Sequence, residues 1–191
     1  MKALKIALIT ASALFGIFLS GYLFIPKNFF VQRSVFSSVS DTAAFKYAAN
    51  YKLFNTWNPF FEKEPHANYS IKGTPDLAGY SFSWNGKTVG KGNFEFIGQE
   101  PYRAIYQKLT FNSPWNGSFI DNMYFAKTYK GIIITWTFSG ENKSLLDRWK
   151  SLFYDNMVGD DYQRGLDKLK EELEKEALAN QQLSERKSAS L

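Results

Sequence analysis

Glu62, Glu64 and His66 fall in one short stretch, NPFFEKEPHAN, and histidine and glutamate are common proton carriers in acid/base catalysis. Placed at the mouth of a cavity, the three could form an acid/base set. Lys63 and Pro65 are interleaved with them, which favours the plainer reading of a charged surface loop. His66 is the only histidine and there is no cysteine. A zinc site therefore lacks its nitrogen and sulfur ligands, disulfide and thiolate chemistry are excluded, and no metal or cofactor is expected.

Other polar residues lie in segments that read as strands. An inward carboxylate would have a raised pKa and could act as an acid, which makes Glu95 and Asp121 worth placing. Alternation turns Glu95 away from the aromatic side of its strand. Asp121 stays ambiguous, because Ile120 and Met123 do not fix the phase. Gln107 shares a face with Ile105 and Leu109, and Arg33 lies between Val31 and Val35. Both are expected inside, where each needs a partner, either an internal hydrogen bond or the polar end of a ligand. The glycines at 86, 90 and 92 join two strands, whereas a dinucleotide fingerprint runs strand, loop, helix. Gly117-Ser118-Phe119 lacks the second glycine of a nucleophile elbow. Nothing here supports nucleophilic catalysis.

These residues need a scaffold. FFVQRSVF (29–36) is rich in β-formers and predicts a first strand. Ser40 or Asp41 caps a helix through AAFKYAANY, and a second short helical piece ends near Trp57. Two prolines make the next segment a connection. Strands are predicted near 68–73, 78–84, 92–98, 103–111, 118–128 and 131–138, an antiparallel meander. Tyr80, Phe82 and Trp84 share a face, as do Phe94 and Phe96, and as do Ile134, Trp136 and Phe138, so one side of the sheet is apolar. Leu145, Trp149, Leu152 and Phe153, then Tyr162, Leu166, Leu169, Leu173 and Ala177, recur at helical spacing and are expected to cover it. Gly159 marks a bend, and Gly165 a close approach of helix to sheet. Residues 179–191 are polar and aperiodic, which predicts a disordered tail.

Residues 6–25, IALITASALFGIFLSGYLFI, carry no charge. At 1.5 Å per residue they extend about 30 Å, the thickness of a bilayer's hydrocarbon core. The run is too long for the apolar region of a signal peptide, so residues 1–27 are expected to be a retained transmembrane anchor. Lys2 and Lys5 favour a cytoplasmic N-terminus with the domain, residues 28–178, on the outer side. The net charge of +5 is spread without a dense basic block, so nucleic-acid binding is not expected. Aromatic residues make up 18% of the chain, enough to line a cavity or to fill it.

Five short passages, in order, resemble the membrane-anchored, polyketide cyclase/dehydrase-like branch of the SRPBCC (START-like) superfamily. They are Val31-Gln32-Arg33-Ser34 after Ile25-Pro26-Lys27; Phe54-Asn55-Thr56-Trp57-Asn58-Pro59-Phe60; Trp84-Asn85-Gly86 with Gly90-Lys91-Gly92; Ile134-Thr135-Trp136 with Gly140-Glu141; and Gly165-Leu166-Asp167-Lys168-Leu169-Lys170. The resemblance implies an α+β helix-grip fold, in which a curved seven-stranded antiparallel sheet wraps a long C-terminal helix. It also implies a cavity between sheet and helix for lipids, sterols or polyketides. Tyr80, Phe82, Trp84, Phe94, Phe96, Trp136 and Trp149 are the expected lining, with Gln107 and Arg33 orienting a ligand's polar end. Binding of an apolar or amphipathic molecule beside the membrane is the leading reading. A cyclase or dehydratase on the same fold, and an envelope interaction protein with a filled core, are the alternatives. Oligomeric state is not legible.

Overall fold

The computed structural model describes residues 2–114 and 116–188. An N-terminal helix α1 (Lys2–Phe24) leads into strand β1 (Asn28–Ser37). Three short helices follow: α2 (Asp41–Ala49), α3 (Tyr51–Trp57) and α4 (Pro59–Lys63). Six strands come next: β2 (Asn68–Lys72), β3 (Ser81–Asn85), β4 (Lys91–Glu100), β5 (Ala104–Ser113), β6 (Gly117–Thr128) and β7 (Gly131–Glu141). The chain closes with α5 (Leu145–Ser151), a π-helical turn (Asp155–Gly159) and α6 (Asp160–Ser188). The strands form one antiparallel sheet in the order β1-β7-β6-β5-β4-β3-β2. The meander is thus closed at one edge by the first strand pairing with the last.

Side-chain oxygens set where the short helices start. Ser40 accepts from the Ala43 N–H, Asn50 from Lys52 and Asn58 from Phe60, each satisfying a donor that a helix N-terminus leaves free. Asn50 and Asn58 each end one helix and begin the next. Pro59, the first residue of α4, costs nothing there because its missing N–H would have had no partner. The segment expected as a bare connection after Trp57 therefore contains a helical turn, α4.

The inner face of the sheet follows the predicted alternation. Phe82, Phe94, Phe96, Ile105, Leu109, Met123, Phe125, Ile134, Trp136 and Phe138 are buried on it, and α6 lays Tyr162, Leu166, Leu169 and Leu173 against it. Gly165 sits where helix meets sheet: a Cβ there would lie 2.9 Å from Trp136 and 3.0 Å from Pro59. The close approach predicted for this glycine is real.

Two expectations for the C-terminal third fail. Residues 179–188 are helical, continuing α6; residues 189–191 lie outside those described. Their polarity signalled exposure, while Ala, Leu, Gln, Glu, Arg and Lys are strong helix formers and Gln181 donates to Glu185 one turn on. The helical path is interrupted between α5 and α6 by a π-helical turn that ends at Gly159, where a bend was expected, but α5 does not cover the sheet. α5 turns aside to α1, leaving Leu146, Leu152 and Phe153 exposed. Trp149, expected over the sheet, donates its indole N–H to the Phe18 carbonyl of α1 at 3.0 Å and packs where Gly21 has no side chain. Spacing alone could not tell which neighbour that stripe would meet. α1 itself is long and apolar enough to cross a membrane, and Gly21 is its one buried residue.

Candidate functional site

A carboxylate lies at the centre of the apolar wall. Asp121, on β6, is fully buried. Its Oδ1 accepts the Trp136 indole N–H at 2.8 Å, and its Oδ2 accepts the Tyr162 hydroxyl. Among the described residues no cation is a partner of Asp121. Burial pushes its pKa up to about 7, even though the two donated hydrogen bonds favour the charged form. The same burial, with the negative charge of Asp121, drives the Tyr162 hydroxyl well above its ordinary value.

Gln107 stands directly across from Asp121 in the β5–β6 ladder. It is buried, as predicted, and donates its amide N–H to the Tyr51 hydroxyl of α3 at 2.8 Å. Tyr51 in turn stacks on Tyr80 with ring centres 4.6 Å apart. Asp121, Gln107, Tyr51, Tyr162 and Trp136 thus form a polar cluster inside an aromatic shell of Tyr80, Phe82, Phe94 and Phe96. Trp84, farther along β3, is buried and hydrogen-bonds the Val89 carbonyl. Seven of the nine predicted lining residues therefore lie on this inner wall.

At this level the space between sheet and helix is occupied. Trp136 stacks on Tyr162 at 4.0 Å, Trp57 meets Trp136 edge-on at 5.3 Å, and Phe54 contacts Phe82 and Phe94 at 4.9 and 5.3 Å. The Trp57 indole N–H is buried with no hydrogen-bond acceptor. Open space lies on the other side of α3, in a groove of about 300 Å³ between α2–α3 and α6, walled by Tyr47, Leu53, Leu173 and Ala177.

Arg33 and Trp149 do not join the cluster. Trp149, on α5, packs against α1, as described. Arg33 does point to the inner side of β1, but β1 is an edge strand, and the guanidinium reaches past it to Asp155 at 2.8 Å. It also occupies the place that a side chain at Gly159 would fill. It ties the strand to the π-helical turn. Asp121 escaped the sequence reading because β6 is apolar on both faces: Ile120 and Tyr124 point outward, with Phe119, Met123 and Phe125 inward. The odd-numbered phase of Phe119, Met123 and Phe125 was the usable signal.

Of the Glu62, Glu64 and His66 stretch, the two glutamates are tied into the fold, and His66 is exposed. Glu64 accepts the backbone N–H groups of Lys87, Thr88 and Val89, which hold its carboxylate below the usual range, and Glu62 pairs with Lys168. A carboxylate with a lowered pKa stabilises the fold above its unfolded pKa, and that contribution fades as pH falls through its folded pKa. Glu64→Gln is accordingly expected to lower the melting temperature at neutral pH, with the deficit shrinking in acid. His66→Gln should leave it unchanged.

No family model and no curated protein matches the chain. Solved structures do. Protein SA2116 from Staphylococcus aureus aligns at 13% identity over 79% of this chain and 96% of its own, with a TM-score of 0.58. Protein MLL2253 from Mesorhizobium loti aligns at 13% identity over 76% and 97%, with a TM-score of 0.56. The di-domain ARO/CYC StfQ from the steffimycin biosynthetic pathway aligns at 14% identity over 78% of this chain, with a TM-score of 0.57. The chain has a helix-grip fold. It spans about half of StfQ, 52%, and at these identities the likeness is one of architecture. Within the helix-grip frame, α6 is the gripped helix, and Asp121 and Gln107 sit side by side on the sheet that grips it.

Proposed function

We propose that this chain is a membrane-tethered helix-grip domain that holds an apolar, hydroxyl-bearing small molecule between its sheet and α6. One observation carries the reading: Asp121 is fully buried beside Gln107 with only neutral partners. A buried carboxylate without a cation costs stability. A perturbed titratable group with convergent polar neighbours in an apolar wall is the pattern of a binding site. Asp121 would accept the ligand's hydroxyl, while Gln107 and Tyr51 fix its orientation.

Admission requires the rings of Trp57 and Tyr162 to part. The joint for that motion is the π-helical turn ending at Gly159, immediately before α6; such interruptions of the helical ladder are frequent at functional sites. α1 anchors the domain, with its N-terminus on the cytoplasmic side, so that lipid-derived molecules are concentrated at the site. Catalysis is the second reading. It rests on Asp121, whose pKa of about 7 suits an acid or base at neutral pH, while Tyr162 stays protonated beside it as a hydrogen-bond donor.

Monoolein and 2-naphthol are suitable probes for the full chain in non-ionic detergent. At about a hundredfold excess over its dissociation constant, a bound probe stabilises the fold by about 2.7 kcal/mol. A rise in melting temperature with at least one probe, lost in Asp121→Leu, is expected. Equal responses of the two proteins, or none, would contradict the site.

A further inference from the structure

We infer that α5 and the π-helical turn form a foot that lies in the lipid interface beside α1. The inference rests on the tethering proposed above. Leu146, Trp149, Phe153 and Met157 follow one another at spacings of three and four, so they share one face of a helical segment. The Met157 N–H bonds to the Phe153 carbonyl, which carries the helical path through the break after α5. This stripe is turned away from the core: Leu146, Phe153 and Met157, together with Leu152, are each about half exposed.

Its position relative to α1 decides what covers it. Trp149 bonds the Phe18 carbonyl, and Phe18 is about 10 Å short of Ile25 along the helix at 1.5 Å per residue. With residues 6–25 spanning the hydrocarbon, Trp149 is drawn below the level where the anchor leaves it. Trp is the residue suited to that depth, apolar in body with one polar N–H. Arg148 sits higher, donating to the carbonyls of Tyr22 and Ile25 and lying 4.5 Å over the Tyr22 ring. It satisfies the free carbonyls at the end of α1 from the headgroup side. Lys143, just before α5, and Lys150, on α5 and 3.6 Å from Asp147, are exposed and suit lipid phosphates. An apolar stripe with Trp and flanking bases is the composition of a helix lying in the plane of the interface. Packed on α1 through Gly21, the foot sets the domain's tilt on the bilayer.

The chain has no cysteine, so single labels are clean. Leu14→Cys, Phe153→Cys and Tyr129→Cys are each labelled with an environment-sensitive nitrobenzoxadiazole dye. The full chain is then reconstituted in phosphatidylcholine–phosphatidylglycerol vesicles carrying a doxyl-lipid quencher. Tyr129, in the exposed β6–β7 turn, reports on the dye alone. Blue-shifted, quenched emission at 14 and 153 with aqueous emission at 129 is the expected result. Aqueous emission at 153 with a shielded 14 overturns the foot and leaves the anchor standing. Aqueous emission at 14 overturns the tether and the foot together. Shielding at 129 as well would show that the dye or the whole domain enters lipid, and would remove the case for a specific foot.

Discussion

Asp121→Asn is expected to remove a large, inverted pH dependence of stability. In the folded chain Asp121 keeps its proton up to about pH 7 against an ordinary value of 3.8. Between those values the unfolded chain binds fewer protons, so stability falls as pH rises. The contribution is fully present below about pH 4 and lost once pH passes about 7. An interval of about three pH units, at roughly 1.4 kcal/mol each, is on the order of 4 kcal/mol. The carboxylates held low by their partners, among them Asp41, Glu64 and Asp155, act in the opposite sense but are common to both proteins. The difference between wild type and variant isolates Asp121. Urea unfolding from pH 4 to pH 8 should show Asp121→Asn gaining steadily on the wild type. Parallel curves would mean that the buried group is not held protonated.

Trp136 and Gly165 carry the second large effect. Trp136 is buried, stacks on Tyr162, meets Trp57 and donates to Asp121. Trp136→Ala is expected to cost about 3–5 kcal/mol, as for a large aromatic deleted from a core, because the cavity forms and Asp121 loses a donor. Gly165→Leu attacks the same contact from the helix. Its Cβ alone would lie 2.9 Å from the indole and 3.0 Å from the Pro59 ring, neither of which can swing aside, so a loss of about 1–3 kcal/mol is expected. Gly165→Ala gains up to about 1 kcal/mol of helix propensity against that clash. The clash should ease in Trp136→Phe, making the pair non-additive in a double-mutant cycle. Additive behaviour would place the contact elsewhere.

The scaffold was more legible than the site. Period-two alternation placed the strands, because their inner faces are aromatic and their turns carry glycine, asparagine or proline. Gly165 was legible because a glycine inside a strong helical pattern needs a reason, and Trp136 is the reason. Gln107 was legible from its neighbours Ile105 and Leu109. Asp121 was not, because Ile120 and Tyr124 put apolar residues on the outer face of β6 as well and blur the pattern. Trp149 was misplaced because a 3.6-residue stripe reports that a face is apolar and says nothing about whether protein or lipid meets it. Arg33 was read correctly as inward, but its partner Asp155 lies 122 residues away, beyond any local signal. The helical tail was missed because polarity resembles disorder when hydrophobic period alone is counted.

The proposed site is a buried acid at the centre of a helix-grip frame. The rings of Phe54, Trp57 and Tyr162 fill the space beside it, and on the proposed reading they part to admit a ligand. Native mass spectrometry of the full chain, released from non-ionic detergent after purification from its own cells, tests this most directly. A population carrying one small organic molecule, stripped on unfolding and absent from Asp121→Leu, is expected. A chain that is bare in every preparation, and stays bare with monoolein and 2-naphthol, would contradict it and leave a filled core that acts through protein contacts.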